Sequence, residues 1–163
     1  ITSRALVERT PESMRLIRHH ESETPRSIQL YGIDAFHVGE AVRRLVDSDH
    51  VDHIDLNFGC PAPKVTKNGG GSALPVRKRL LRDIIAAAVA GAGDVPITAK
   101  FRMGVDDDHP LTYLDTGRAG GWPATTSVTP DGTGSVADLV PWTVALAIAE
   151  GERAGLVSAT HTC

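Results

Sequence analysis

Three short stretches of the chain alternate polar and apolar residues, and all three do so in the same phase. Ile28 and Leu30, then Ile54, Leu56 and Phe58, then Ile97, Ala99 and Phe101 fall on one face. Ser27, Gln29 and Tyr31, then Asp55 and Asn57, then Thr98, Lys100 and Arg102 fall on the other. A period of two marks strands, at Ser27–Tyr31, Val51–Phe58 and Pro96–Arg102. The segments between them have a helical period. Asp34 is placed to cap a helix whose Val38, Ala41, Val42, Leu45 and Val46 form one stripe. Leu80, Leu81, Ile84, Ile85, Ala88 and Val89 form a second stripe, ending at Gly91 or Gly93. Thr10-Pro11-Glu12 predicts an earlier helix start, with threonine as cap and proline at the first helical position. Strand–helix–strand–helix–strand at these lengths predicts βαβ crossovers and a parallel sheet.

Strands covered on both faces read as near-continuous apolar runs. Here one face stays polar as far as the carboxyl ends. In a (β/α)₈ barrel the apolar face meets the outer helices, and polar residues inside point toward the mouth where chemistry takes place. An open doubly wound sheet also binds ligands beyond its carboxyl ends, and periodicity leaves both architectures open.

The pattern stops after about residue 118. Residues 111–163 hold two basic residues, Arg118 and Arg153, against Asp115, Asp131, Asp138, Glu150 and Glu152, and they are rich in threonine. The preceding residues are balanced in charge, so the overall −3 gives no whole-chain electrostatic case for nucleic acid. Ala119–Ser127 has no period, and Val140–Ile148 suits a strand or a short helix interrupted by Pro141. The expected division is therefore 1–118, α/β, and 119–163, an irregular tail. At 41% hydrophobic and 23% charged residues the composition is that of a soluble globular protein. The longest apolar run, Ile84–Ala90, falls far below the ~18–20 residues that cross a bilayer, so no membrane association is expected. Two cysteines, Cys60 and Cys163, make no disulfide framework, and a reducing, cytoplasmic setting is expected. The seven histidines show no ligand spacing, and no metal is expected.

Asn57-Phe58-Gly59-Cys60-Pro61, then Lys64-Val65, then Gly69-Gly70-Gly71-Ser72-Ala73-Leu74 resembles the signature of the tRNA-dihydrouridine synthases. Gln29-Leu30-Tyr31-Gly32 upstream, and Ile97–Gly104 and Asp106–His109 downstream, fit in order, and Ile1–Ile17 is similar to the segment after the first barrel strand of bacterial members. The resemblance covers roughly residues 1–118. It implies an FMN-dependent TIM barrel that reduces uridine to 5,6-dihydrouridine in tRNA, with NADPH reducing the flavin. A whole barrel takes ~250 residues, so a partial, incomplete (β/α)₈ barrel is expected, lacking the opening strand and the later phosphate-holding strands. A fragment, a frameshifted reading or a decayed gene would each explain the break.

Reduction of the C5=C6 bond needs hydride at C6 and a proton at C5. The resemblance makes Cys60 the proton donor, and an ordinary thiol is mostly protonated at neutral pH. It assigns Lys100 to the N1–C2=O edge of the flavin, while the Gln29 amide can donate to and accept from the pyrimidine edge. Asn57 is placed to orient the target base and Arg102 to meet a phosphate or the uracil. Lys64 and Lys67 suit tRNA phosphates. Asn68–Ser72 is neither a Walker loop nor GxGxxG and reads as a loop that permits movement. Asp106–Asp108 reads as a solvated loop and helix cap, and the histidines as surface or satisfied groups.

Two alternatives stand beside this reading. One is another FMN barrel, of the dihydroorotate or dihydropyrimidine dehydrogenase type, which shares an Asn-x-x-Cys-Pro turn. The other is an inactive truncated or frameshifted product. Alone, the chain is expected to bind FMN weakly or not at all, with three strands and unpaired edges.

Overall fold

The computed structural model describes residues 1–102, 104, 108, 109, 112, 143–148 and 156–158. Two short helices, α1 (Ser3–Val7) and α2 (Pro11–Leu16), precede β1 (Ser27–Leu30), α3 (Ala35–Asp49) and β2 (His53–Phe58). A four-residue helix α4 (Pro63–Thr66) and a 3-10 helix over Gly71–Val76 lead into α5 (Lys78–Ala92) and β3 (Ile97–Arg102). The expected caps are present. Thr10 Oγ1 accepts from the Ser13 amide with Pro11 at the first position, and Asp34 caps α3 through the His37 amide at 2.9 Å. Helix α5 ends at Gly93, whose φ of 57° suits glycine.

β1, β2 and β3 are parallel and adjacent in that order, with Gln29 beside Asp55, Asp55 beside Thr98, and Asn57 beside Lys100. The shared phase is visible in the burial. Ile28, Leu30, Ile54, Leu56, Phe58, Ile97, Ala99 and Phe101 are all buried, while the intervening residues are at least partly accessible. The apolar stripes of α3 and α5 join these side chains in one core. Each large aliphatic or aromatic side chain so buried contributes about 1.5–3 kcal/mol. The two helices press together closely: a Cβ on Gly91 would stand 2.7 Å from the Gly39 carbonyl oxygen. Successive crossovers therefore lie on the same side of a sheet that grows in one direction. That winding is consistent with a partial (β/α) barrel, and a βαβαβ half of a doubly wound sheet winds the same way.

The structure adds two strands beyond the three the sequence marks. Within Val140–Ile148, Thr143–Ile148 forms β4, antiparallel to β3, and Leu156–Ser158 forms β5, antiparallel to β4. The β3 edge is thus paired, where the three-strand reading left it open, and the antiparallel sense departs from the barrel pattern. At the other edge Ile1–Ser3 runs beside Gln29–Tyr31. The Tyr31 amide donates to the Ile1 carbonyl at 2.9 Å, and the Ser3 amide to the Tyr31 carbonyl at 2.9 Å. The Ala119–Ser127 stretch, Asp106 and Asp107 lie outside the described residues.

Candidate active site

The polar face of β1–β3 carries a continuous line of hydrogen bonds. Asp55 stands at its centre. Its Oδ2 accepts from Gln29 Nε2 at 2.6 Å and its Oδ1 from the Thr98 hydroxyl at 2.6 Å. Gln29 Oε1 accepts from Asn57 Nδ2 at 2.9 Å. Asn57 Oδ1 in turn accepts the backbone amides of Gly59, at 3.1 Å, and Cys60, at 3.0 Å. An asparagine oxygen bonded two and three residues ahead is a turn-forming device, and here it shapes the strand end that carries the thiol. Beyond Thr98 the line continues to His53 Nε2 at 2.9 Å, and Ser27 Oγ lies 2.6 Å from His53 Nδ1. His53 is thus a satisfied histidine, as expected.

Cys60 is a free, half-buried thiol just past the carboxyl end of β2. Its backbone is held from three directions. Asn57 takes its amide, the Ser72 amide donates to its carbonyl at 3.0 Å, and Arg102 Nε donates to the neighbouring Gly59 carbonyl at 2.8 Å. Gly71 has a φ of 54°, and a Cβ there would collide with the Cys60 carbonyl oxygen. Close approach and left-handed backbone explain this glycine, and the segment around it is two short helical turns (Pro63–Thr66 and Gly71–Val76) rather than the open loop suggested by its glycines.

The structure brings Gln29, Asn57 and Lys100 together on one face and at one end of the sheet, with Lys100 in register with Asn57. No ion pair joins Lys100 to another described residue. Arg102, on the same face, braces the Cys60 turn through its Nε. Lys64, exposed on α4, lines a cavity of about 300 Å³ with Arg4, Tyr31 and Asn68, and Lys67 is exposed one turn further on. Sequence reasoning does not single out Asp55, Thr98 or His53, although their shared phase with Gln29 and Lys100 is the signal that could have found them.

The donor set suits a ligand that presents acceptor atoms. Asn57 Oδ1 has both lone pairs engaged, so that side chain has only N–H to offer. Gln29 keeps one N–H beyond its bond to Asp55, and Lys100 adds an ammonium.

The family model described as "Dihydrouridine synthase (Dus)" matches residues 1–120. The chain is 50% identical over 120 residues to the "Probable tRNA-dihydrouridine synthase" of Mycobacterium tuberculosis (strain CDC 1551 / Oshkosh), covering 72% of this chain and 31% of that protein. It is 48% identical over 120 residues to the protein of the same name from Mycobacterium leprae (strain TN), with the same coverage. It is 44% identical over 96 residues to "tRNA-dihydrouridine synthase B" of Pseudomonas syringae pv. tomato, covering 59% of this chain and 28% of that one. The chain thus spans about a third of the length of the curated relatives it matches. With the matched segment holding the whole polar face and the Cys60 turn, the chain belongs to the dihydrouridine synthase family.

Proposed function

We propose that this polypeptide supplies the uridine-facing part of an FMN-dependent oxidoreductase that reduces uridine to 5,6-dihydrouridine in tRNA. The observation that carries the reading is the Cys60 thiol on a braced turn beside the donor-lined end of the sheet. When bound, FMN supplies hydride equivalents for C6 of the uracil ring, and NADPH restores them.

The chain's own residues do the rest. Gln29 and Lys100 would hold the pyrimidine edge of the flavin through an N–H and an ammonium. Asn57 would hold a uracil carbonyl through its remaining N–H, which fixes the base against rotation. Cys60 Sγ gives its proton to C5, completing the saturated bond, and is reprotonated from solvent. Arg102 holds the turn that carries Cys60, and substrate contact by this residue is a further part of the proposal. Lys64 and Lys67 meet tRNA phosphates, which position the RNA without reading its sequence. Residues 1–118 act as the catalytic segment and 119–163 as a separate one, in a cytoplasm that keeps the thiol reduced.

The family match favours the tRNA enzyme over a dihydroorotate- or dihydropyrimidine-type dehydrogenase. The test is to purify residues 1–163 and titrate them with FMN, then to supply NADPH and unmodified tRNA and measure dihydrouridine. Visible absorbance of a bound flavin with product formation supports the reading. A folded chain that neither binds FMN nor forms product within a barrel completed with the missing segments overturns it.

A further inference from the structure

The hydrogen-bond line across the sheet has a direction, and its two kinds of end fix it. A backbone amide can only donate, and an ionised carboxylate can only accept. Starting from Gly59 and Cys60, the Asn57 oxygen must face their amides, so its nitrogen faces Gln29. The Gln29 oxygen receives that proton, so its nitrogen faces Asp55. From the other side the Thr98 hydroxyl gives its one proton to Asp55. The Thr98 oxygen must then accept from His53 Nε2, which places the proton of the neutral imidazole on Nε2 and leaves Nδ1 to accept from Ser27.

We propose that Asp55 is a positioning residue: as the common acceptor of both branches it sets the His53 tautomer, and it receives the Gln29 N–H on the branch whose orientation the Gly59 and Cys60 amides already pin. The consequence for recognition rests on the proposed function. Atoms met by the Gln29 and Asn57 side-chain amides must be acceptors, which selects the carbonyl oxygens of a pyrimidine ring over its N–H.

The substitution Asp55→Asn makes the assignment testable, since it keeps the shape and removes the acceptor-only character. The Gln29–Asn57 branch remains pinned by the two backbone amides, so the oxygen of the substituted amide must face Gln29. Its NH₂ then faces Thr98, whose own proton turns to His53 Nε2. His53 must carry its proton on Nδ1 and donate to Ser27.

The experiment is ¹⁵N NMR of the histidine ring nitrogens in the 163-residue chain, at a pH where the imidazole is neutral. Wild type is expected to show His53 protonated on Nε2, and Asp55→Asn to show it on Nδ1. Thr98→Val breaks the link, and adding Asp55→Asn to it is expected to leave the His53 tautomer where Thr98→Val alone puts it. Wild-type His53 protonated on Nδ1 overturns the proposal even if no variant folds, and so does Asp55→Asn with His53 unchanged. The measurement needs neither flavin nor RNA. A chain that shows the switch, but forms no dihydrouridine within a completed barrel, keeps this inference and counts against the proposed function.

Discussion

Asn57 Oδ1 accepts the Cys60 backbone amide at 3.0 Å, so a side chain near the end of β2 also holds the residue that carries the thiol. The same oxygen takes the Gly59 amide, and the same side chain reaches across to Gln29. Asn57→Ala releases two part-buried amides at once. It is expected to cost about 1–3 kcal/mol of stability, the range for polar groups left unmatched. Asn57→Asp should keep the amide bonds but set a carboxylate oxygen against the Gln29 carbonyl, so it should be stable at the turn and poor in ligand binding. Chemical denaturation of both variants, alongside FMN titration, checks this; equal stability of the two would show that the amide bonds are idle, and wild-type ligand binding by Asn57→Asp would show that the Gln29 contact is.

Gly71→Ala tests the reading of the glycine run as packed backbone. The new Cβ meets the Cys60 carbonyl, and the φ of 54° disfavours any L side chain. The expected loss is at least about 1–3 kcal/mol for the backbone conformation alone. Gly93→Ala shares the positive φ but has nothing within 4 Å of its Cβ, so it should cost less. Thermal melts of the two variants decide the matter, and equal losses would assign the whole effect to backbone conformation.

The sequence made the sheet legible because parity survives without knowledge of tertiary structure. Three apolar sets in phase leave one register that buries them all, and Ile28–Ile54–Ile97 stand side by side in it. Caps were legible for the same reason, since Thr10 and Asp34 act on amides three residues away. What stayed hidden depends on contacts between distant segments. The bond from Arg102 Nε to the Gly59 carbonyl, 43 residues back in the chain, has no sign in the sequence. Gly71 reads only as part of a loop that permits movement, because the Cys60 carbonyl against it comes from outside that loop. Asp55 reads only as one polar residue in an alternating strand, because its role comes from partners on two other strands. Val140–Ile148 reads as a strand or a short helix, but the pairing of Thr143–Ile148 along β3 has no signature in the sequence.

Lys64 and Lys67 stand exposed just after the Cys60 turn, and Lys64 borders the cavity beside Tyr31. If they hold tRNA phosphates, Lys64→Glu and Lys67→Glu should weaken tRNA binding across all tRNAs alike. Each should also lower the slope of log affinity against log salt by about 1. Flavin affinity should not change, since neither side chain belongs to the sheet face. Filter binding at several salt concentrations measures both effects, and an unchanged slope removes the lysines from the RNA surface.

Cys60 separates proton delivery from everything else the site does. Its amide and carbonyl are held by Asn57 and Ser72 through backbone atoms, so a change of side chain leaves those bonds in place. Cys60→Ala should therefore fold with wild-type stability, within the half kilocalorie or so typical of substitutions that disturb no network. In a protein carrying the complete barrel it should also bind FMN and oxidise NADPH at the wild-type rate, because the thiol is no part of either step. Dihydrouridine formation should fall by about 10²–10⁴, the range that a positioned acid contributes. Cys60→Ser probes the same step with a hydroxyl, a far weaker acid in the same place, and should recover little of the loss. The deciding assay is a single turnover with excess enzyme and unmodified tRNA, quantifying dihydrouridine directly. A Cys60→Ala protein that forms product at the wild-type rate would show that C5 receives its proton from elsewhere, and the role of the braced turn would then be structural.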